Sequence, residues 1–512
     1  VNARVVVVIA ALVAAGMARA DLAPLPPPAP VAAVNGGSEA TTAPAPAPPP
    51  ATTATATTAT AKPLLLSELK GNVQQSPGGR AMGLVGMVSM MGIAWLLSTD
   101  RRRISWRLVG MGVLLQVAFA LFVLKTTAGA AVFAAGNDLI NGLLKFSEAG
   151  SRFVFGNLVD NKVAVGAALS PSPDDPRVDG GTLFAATGSM IAFRVLPTVL
   201  FFSALTAVSY HLGLLQKVVN ALAVVMHRTM GVSGAESLST SANIFLGQTE
   251  APLLVRPYLE KMTASELTCI MTGGFATVAG GVMAAYVGML SSTFPDIAGH
   301  LMAASVMAAP ATLVMSKLMV PETETPETAG GAAPPTEKLD ANIIDAATRG
   351  ISEGLMLALN VGAMLIGFLA LLALLNAVLG GAFGVIGLEG VTLERIFGYV
   401  GAPLAFLLGT PIEDALAVGQ LIGTKTVVNE FVAYLQLGAM IESGQLVHGK
   451  SVVIAVYALC GFANFGSIGI QIGGLAALVP SRRSDLARLG LRAMTAGALA
   501  SFQTAAIAAM VL

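Results

Sequence analysis

Apolar stretches long enough to cross a bilayer recur along this chain from about residue 82 to its end. They lie near 82–98, 105–124, 183–209, 265–292, 301–320, 352–379, 451–479 and 489–511. A bilayer's hydrocarbon core takes roughly 20 mostly apolar residues per helix. Lipid offers no partner to a backbone amide, so a lipid-facing span must satisfy its own hydrogen bonds. Composition agrees: the chain is 54% hydrophobic and only 11% charged, where a soluble domain carries about 25% charged residues. The fold class expected is therefore an all-α polytopic membrane protein with about eight transmembrane helices, in contact with membrane lipid. Net charge is zero, so there is no basic field for nucleic acid. Cys269 and Cys460 both sit inside apolar runs and read as small buried hydrophobes, not as a disulfide or metal pair. The four histidines have no metal-ligand spacing.

The first residues differ from the rest. "VNARVVVVIAALVAAGMARA" joins an early Arg4, an apolar run and a small-residue ending, which reads as a cleaved secretory signal over 1–20. Residues 21–80 are dominated by Pro, Ala and Thr, cannot bury a core, and read as a disordered tether. Orientation follows from arginine. "DRRRISWR" (100–107) follows the first span and "SRRSDLAR" (481–488) precedes the last. Positive loops stay cytoplasmic, so with eight crossings both termini face the periplasm or outside, as a cleaved signal also requires. The expected localisation is a multi-pass protein of the plasma (inner) membrane.

Two stretches fit neither a clean span nor a loop: 231–260, which contains "SANIFLGQTEAPLLVRPYL", and 409–440, "GTPIEDALAVGQLIGTKTVVNEFVAYLQLGAM". Each holds acidic residues, breaks near a Gly with polar neighbours, and resumes an apolar run. Each is followed by a span with Gly and polar residues at its middle, "GGFATVAGGV" and "CGFANFGSIGIQIGG". With the orientation above, the first enters from the cytoplasm and the second from outside. Broken helices at matching positions of two inverted halves point to a transporter's binding site, because non-helical backbone at that depth must line a cavity or be buried in protein. The expected organisation is then an N-terminal set of spans and interfacial helices (81–230), a first re-entrant hairpin with its following helices (231–320), and a polar cytoplasmic linker (321–349). A scaffold helix with an interfacial helix (350–408) and a second hairpin with the last two helices (409–512) complete it. Residues 126–158 and 212–230 mix polar and apolar residues as interfacial helices do.

Glu250 and Glu430 are the informative charges, since an ionisable residue at the bilayer centre costs about 2.5–3.5 kcal/mol on insertion scales. The structural alternative pairs Glu250 with Arg256 and Glu430 with Lys425. Asn243, Thr277, Asn464 and Ser467 have a bland alternative too, because such residues also join helix to helix. Two soluble-enzyme patterns fail on context. "GQLVHGKS" (444–451) fits a P-loop but runs into a membrane span with no strand before it. "GISEG" (350–354) fits a nucleophile elbow but opens a long apolar helix without a positioned His. Neither supports an enzyme.

The blocks "GQTEAPLLVRPYL", "MTGGFATVAGG", "GTKTVVNEFVAY", "YALCGFANFGSIGIQIGG" and "FRVLPTVLFFSAL" together resemble the concentrative nucleoside transporter family over about 82–512. The resemblance implies a homotrimer of protomers with eight spans and two re-entrant hairpins, and an elevator-like motion. It implies that Gln248, Thr249 and Glu250 face the nucleobase with Val282 beside it. Glu430 would face the ribose with Asn464 and Ser467, and Phe462 would pack on the ligand. Sodium, the coupling ion, would fall on Asn243, Leu246, Thr277 and Val278, partly through backbone oxygens, with no other cofactor. The chemistry suits these roles. A carboxylate accepts strongly from hydroxyls, an amide both donates and accepts at a base edge, and a hard cation prefers oxygen. Proton coupling through Glu250 or Glu430 is the alternative. A channel would call for a file of like residues, which the paired inverted hairpins do not offer. Gly281 beside Val282 suggests room near the base.

Overall fold

The computed structural model describes residues 77–160, 162–167, 182–186, 191–330, 340–385 and 390–512. The signal-like segment 1–20 and the tether as far as residue 76 lie outside them. The described residues form sixteen α-helices and one two-stranded antiparallel ribbon, β1 (Lys162–Ala167) with β2 (Thr182–Ala186). The architecture is thus helical, as expected, with that ribbon as the exception. Among the described residues seven helices are long and apolar enough to cross a membrane, or eight if the bent pair Leu393–Leu407 and Ile412–Val427 counts as one span. The segment expected as an eighth span, 451–479, consists instead of two shorter apolar helices, Gly449–Leu459 and Phe465–Leu478.

The helices before the first hairpin are α1 (Pro77–Leu96), α2 (Trp106–Lys125), α3 (Thr127–Phe155), α4 (Leu196–His211) and α5 (Leu214–Met230). The expected span at 183–209 starts late. Residues 182–186 belong to β2, and a π-helical turn at Ile191–Val195 leads into α4. A short apolar run flanked by glycines cannot be told from a helix by hydrophobicity alone. In α3 the buried residues Phe133, Asn137, Ile140, Ser147 and Ser151 fall on one helical face, the pattern of a helix lying along an apolar body.

Two similar units follow. The first runs α6 (Gly234–Ala242), a 3₁₀ arm (Ala251–Tyr258), α7 (Ala264–Ala276), α8 (Gly280–Leu290) and α9 (Ile297–Met319). After α10 (Ile343–Gly384) and α11 (Leu393–Leu407), the second runs α12 (Ile412–Val427), α13 (Glu430–Glu442), α14 (Gly449–Leu459), α15 (Phe465–Leu478) and α16 (Arg483–Val511). Each unit is a hairpin, a broken helix and a long helix. The first hairpin's return arm is 3₁₀ where the second's is α. Pro252 and Pro257 lie in it, and each removes an amide donor from the helical ladder.

Long helices α9 and α16 form the centre, with 83% of each apolar window buried. Only 17% of the α10 window is buried. That helix packs along α4 through two glycines. A β-carbon at Gly350 would meet Ala204 Cα at 2.7 Å, and one at Gly354 would meet Leu200 Cα at 2.8 Å. The "GISEG" glycines are therefore a small-xxx-small helix contact. Helices α11 and α12 meet at a 118° bend and pack backbone to backbone, a β-carbon at Gly401 falling 2.3 Å from the Gly419 carbonyl oxygen.

A buried ionic cluster fixes the base of the first hairpin. Lys317 Nζ lies 2.5 Å from Glu236 and 3.3 Å from Glu322, and donates to Ser265 Oγ at 2.8 Å. Capping boxes Ser233/Glu236 and Thr263/Glu266 start α6 and α7, and Ser233 Oγ donates to Glu266 at 2.7 Å. The polar stretch after α9 folds onto this base, where Thr328 receives the Gly234 and Ala235 amides at 2.9 and 3.1 Å. "GQLVHGKS" also has a structural use: the His448 amide, at the start of α14, donates to Asp414 at 2.9 Å, and Lys450 Nζ donates to the Gly79 carbonyl at 3.2 Å.

Candidate substrate and cation site

The two broken helices cross at their breaks. In the first unit Thr277 (φ −120°, ψ 170°) ends α7 in extended backbone and α8 restarts at Gly280. In the second, α14 ends at Leu459 and α15 restarts at Phe465. Gly461 sits in that gap at φ +117°, with its would-be β-carbon 2.7 Å from the Phe275 carbonyl oxygen and 2.8 Å from that of Ala276. Helix α16 closes the crossing. A β-carbon at Gly497 would meet Phe275 Cβ at 2.4 Å, and Ser501 Oγ donates to the Cys460 carbonyl at 2.6 Å.

Glu430 is the first residue of α13 and is buried. Asn464 Nδ2 donates to Glu430 Oε2 at 2.8 Å, while Asn464 Oδ1 caps α15 by accepting from the Ser467 amide at 2.8 Å. Asn429 caps α13 in the same way, accepting from the Val432 amide at 2.9 Å. The carboxylate therefore lies at the positive ends of two half-helices, where negative charge is stabilised. It has no salt bridge with Lys425, which instead donates to the Ala458 carbonyl at 2.8 Å in the last turn of α14. Expected partners Glu430, Asn464 and Ser467 thus form one hydrogen-bonded group.

The hairpin-1 residues divide between two sides. Gln248 and Thr249 face α15 and α7. A β-carbon at Gly274 would meet Gln248 Cβ at 2.7 Å and Gln471 Nε2 at 2.0 Å, and one at Gly474 would meet Thr249 Cγ2 at 2.6 Å. Ser467, Gln471 and Gly474 share one face of α15 by helical spacing, so that face runs from the Glu430 group to the tip of the first hairpin. Glu250 turns elsewhere. Its carboxylate accepts from the Gly247 amide at 3.2 Å and opens on a cavity of about 40 Å³ lined by Ser203, Thr206, Arg349 and Glu353. No ion pair joins it to Arg256, which lies exposed on the 3₁₀ arm. Val282 is fully buried and Phe462 partly buried in the main core. Gly281 lines the same cavity as Glu250, with Ser203 Oγ of α4 3.1 Å from its β-carbon position.

Asn243 and Thr277 come together around Gly273. Asn243 Nδ2 lies 2.7 Å from the Gly273 β-carbon position, and Thr277 Oγ1 donates to the Gly273 carbonyl at 2.8 Å. Both amide atoms of Asn243 are buried without a protein partner. An unmet buried polar atom costs about 1–3 kcal/mol, and a cation would satisfy the oxygen. Leu246 and Val278 are both buried. The donors are neutral oxygens, and the described residues hold no group of three or more His, Cys, Asp or Glu placed for a metal. That set suits a hard monovalent cation rather than a transition metal.

Three further residues belong to this region and do not stand out in the sequence: Tyr286, Asn429 and Gln471. Asn429 carries a readable signal, an Asn directly before an apolar helical run. Gln471 is a lone amide inside one; its Nε2 donates to the Met271 carbonyl at 2.9 Å.

Comparison with known proteins agrees with this geometry. Residues 85–158 and 300–509 match the N- and C-terminal models of the Na+ dependent nucleoside transporter, and 192–293 match a nucleoside recognition model. The chain is 46% identical over 433 residues to an uncharacterized transporter, YutK, of Bacillus subtilis, covering 84% of this chain and 98% of that protein. It is 40% identical to sodium/nucleoside cotransporter 1 of Mus musculus over 82% of this chain and 63% of that protein. Among solved structures it is similar to CNTnw in an inward-facing substrate-bound state, at 40% identity and TM-score 0.73, covering 84% of this chain and 97% of that one. A CNTnw variant in an outward-facing state gives 38% identity and TM-score 0.76, with 85% and 99% covered. These relatives are transporters, not enzymes. With identity at this level along nearly the whole length of its bacterial relative, and with two hairpins and two broken helices meeting at one polar centre, the chain belongs to the concentrative, Na+-dependent nucleoside transporter family.

Proposed function

We propose that this chain imports nucleosides across the plasma (inner) membrane in symport with sodium, by elevator-like alternating access in a homotrimer. The carrying observation is the pair of adjoining half-sites at the crossed breaks. A buried carboxylate held by Asn464 offers acceptors to sugar hydroxyls, and the unmet Asn243 amide beside Thr277 offers oxygen to a cation. In this reading Gln248 and Thr249 meet the base with Val282 and Phe462 packed near it, and Glu430, Asn464 and Ser467 hold the ribose. Glu250 acts at the margin of the base pocket. Leu246 and Val278 contribute backbone oxygens to sodium. The sparsely buried α10, bound to α4 through a glycine face, suits a static scaffold that turns its outer surface to lipid or to other copies of the chain. Uptake of labelled uridine and adenosine into proteoliposomes tests the whole reading. Accumulation should require an inward sodium gradient, and accumulation driven equally well by a proton gradient without sodium would replace it with proton symport.

Thr277→Val is expected to raise the sodium concentration for half-maximal uptake several-fold while leaving assembly unchanged. The substitution keeps shape and removes one oxygen. Its Oγ1 proton is committed to Gly273, but its lone pairs remain available to a cation. Unaltered sodium dependence would leave Thr277 as a helix-end packing residue.

For orientation, the Arg-rich loop after α1 is proposed to be cytoplasmic, with both termini outside. A single cysteine at Arg102, which is exposed, is expected to react with an impermeant maleimide only after cells are opened. The background replaces Cys269 and Cys460, both buried. Labelling in intact spheroplasts would reverse the assigned sense of both hairpins.

A further inference from the structure

We propose that Tyr286 is a positioning residue of the sugar site: its hydroxyl donates to the Glu430 carboxylate and thereby fixes which acceptors remain for the ribose. This rests on the reading of Glu430 as the sugar-holding group. Tyr286 lies on α8, one helical turn after Val282, and is fully buried. It reaches from the first broken helix to the second hairpin. Its ring packs edge-on against Phe431 at a centroid distance of 4.9 Å and tilted against Tyr434 at 4.2 Å. Those two residues follow Glu430 in the first turns of α13, one and four positions on. These ring contacts set Tyr286 against the first turn of α13, which Glu430 begins, and its hydroxyl is buried without a protein hydrogen-bond partner. The neighbouring tyrosine is already committed, since Tyr434 Oη donates to the Val456 carbonyl at 2.8 Å.

A buried hydroxyl without a settled partner is unfavourable, and a phenyl ring would fill the same space without that penalty. The oxygen at 286 therefore calls for a use that aromatic packing does not supply. Counting acceptors supplies one. An ionised carboxylate offers about four lone-pair sites. Asn464 takes one on Oε2, and a bond from Tyr286 would take a second. The residue's own amide at the helix start competes for a third, so what is left to a sugar hydroxyl depends on where Tyr286 and Asn464 hold the group. Tyr286 and Asn464, arriving from opposite halves of the molecule, would also hold the carboxylate in one rotamer, so the diol meets preset acceptors.

Isothermal titration of full-length wild type and Tyr286→Phe with uridine and 2′,3′-dideoxyuridine, in saturating sodium, tests this. Melting midpoints are recorded for both proteins. The wild type should bind uridine much more tightly than the dideoxy compound. Tyr286→Phe should lose about tenfold for uridine, the scale of one hydrogen bond to a charged group, and keep its dideoxyuridine affinity within about twofold. Tyr434→Phe, which breaks only a bond to backbone, should shift both ligands alike. Equal losses for both ligands in Tyr286→Phe, or none, would overturn the proposal while leaving Glu430's role intact. A wild type that does not distinguish the two ligands would remove the sugar role of Glu430 and that of Tyr286 with it.

Discussion

Glu430→Gln is expected to bind uridine roughly ten- to a hundred-fold more weakly than the wild type, the equivalent of about 1.5–3 kcal/mol for a bond to a charged group. The side chains are nearly isosteric, so packing against Phe431 and Tyr286 is kept. What changes is the acceptor: one oxygen becomes an amide nitrogen, and the charge that strengthened every bond to a hydroxyl is gone. The structural alternative was that Glu430 merely neutralises Lys425, in which case Gln would lower stability and spare affinity. Lys425 is instead held by the Ala458 carbonyl, which leaves the carboxylate to Asn464 and to whatever enters the site. A thermodynamic cycle separates the two. Removing the 2′ and 3′ hydroxyls of the ligand should weaken binding to the wild type far more than to Glu430→Gln, because one partner of those bonds is already missing. Equal losses in both proteins would mean that Glu430 does not touch the sugar.

Much of this is legible in the sequence, and the reason is specific to membranes. Lipid makes each buried charge and each helix break expensive, so "NEF" and "GQTE" stand out where in a soluble protein they would be ordinary loops. The same pressure makes the matching interruptions at 273–282 and 460–474 visible as one motif written twice. Side-chain direction was not legible. Gln248, Thr249 and Glu250 are consecutive, yet the first two face α15 and the third turns toward α4 and α10. An irregular tip has no period from which to infer that. Nor could one chain position reveal that Ser203, more than seventy residues earlier, shares a cavity wall with Gly281. The misjudged start of α4 has the opposite cause. Hydrophobicity reports burial, and the "TLFAA" of β2 is apolar without being helical. Tyr286 carries no signal of its own, because an aromatic in an apolar helix reads as core, and its ring is indeed core; only its oxygen is unusual.

Gly461→Ala is expected to abolish the assembled, transport-competent protein, or to lower its melting midpoint by many degrees, although it adds a single methyl group. Two independent effects coincide at this residue. Its φ of +117° lies where a side chain is strained, at about 1–2 kcal/mol even in the better left-handed region. The added carbon would also come within 2.7 Å of the Phe275 carbonyl oxygen, a backbone atom that has nowhere to retreat. Behind it, Gly497 of α16 already admits Phe275 only because it too lacks a β-carbon. Relief would require the two breaks to separate, and that would strain the contacts that join them, among them the bond from Gln471 Nε2 of α15 to the Met271 carbonyl of α7. The sum should exceed about 3 kcal/mol, in the range reserved for backbone and core lesions. Gly469→Ala is the internal control. It lies within α15 with nothing inside 4 Å of its β-carbon position, and Ala is favoured over Gly in a helix by about 0.8–1 kcal/mol, so that variant should melt no lower than the wild type and transport normally. Thermal melting and uridine uptake on both variants decide the matter. A Gly461→Ala protein as stable and active as Gly469→Ala would show that the breaks do not cross in contact, and the shared wall between the sugar and cation sites would have to be sought elsewhere.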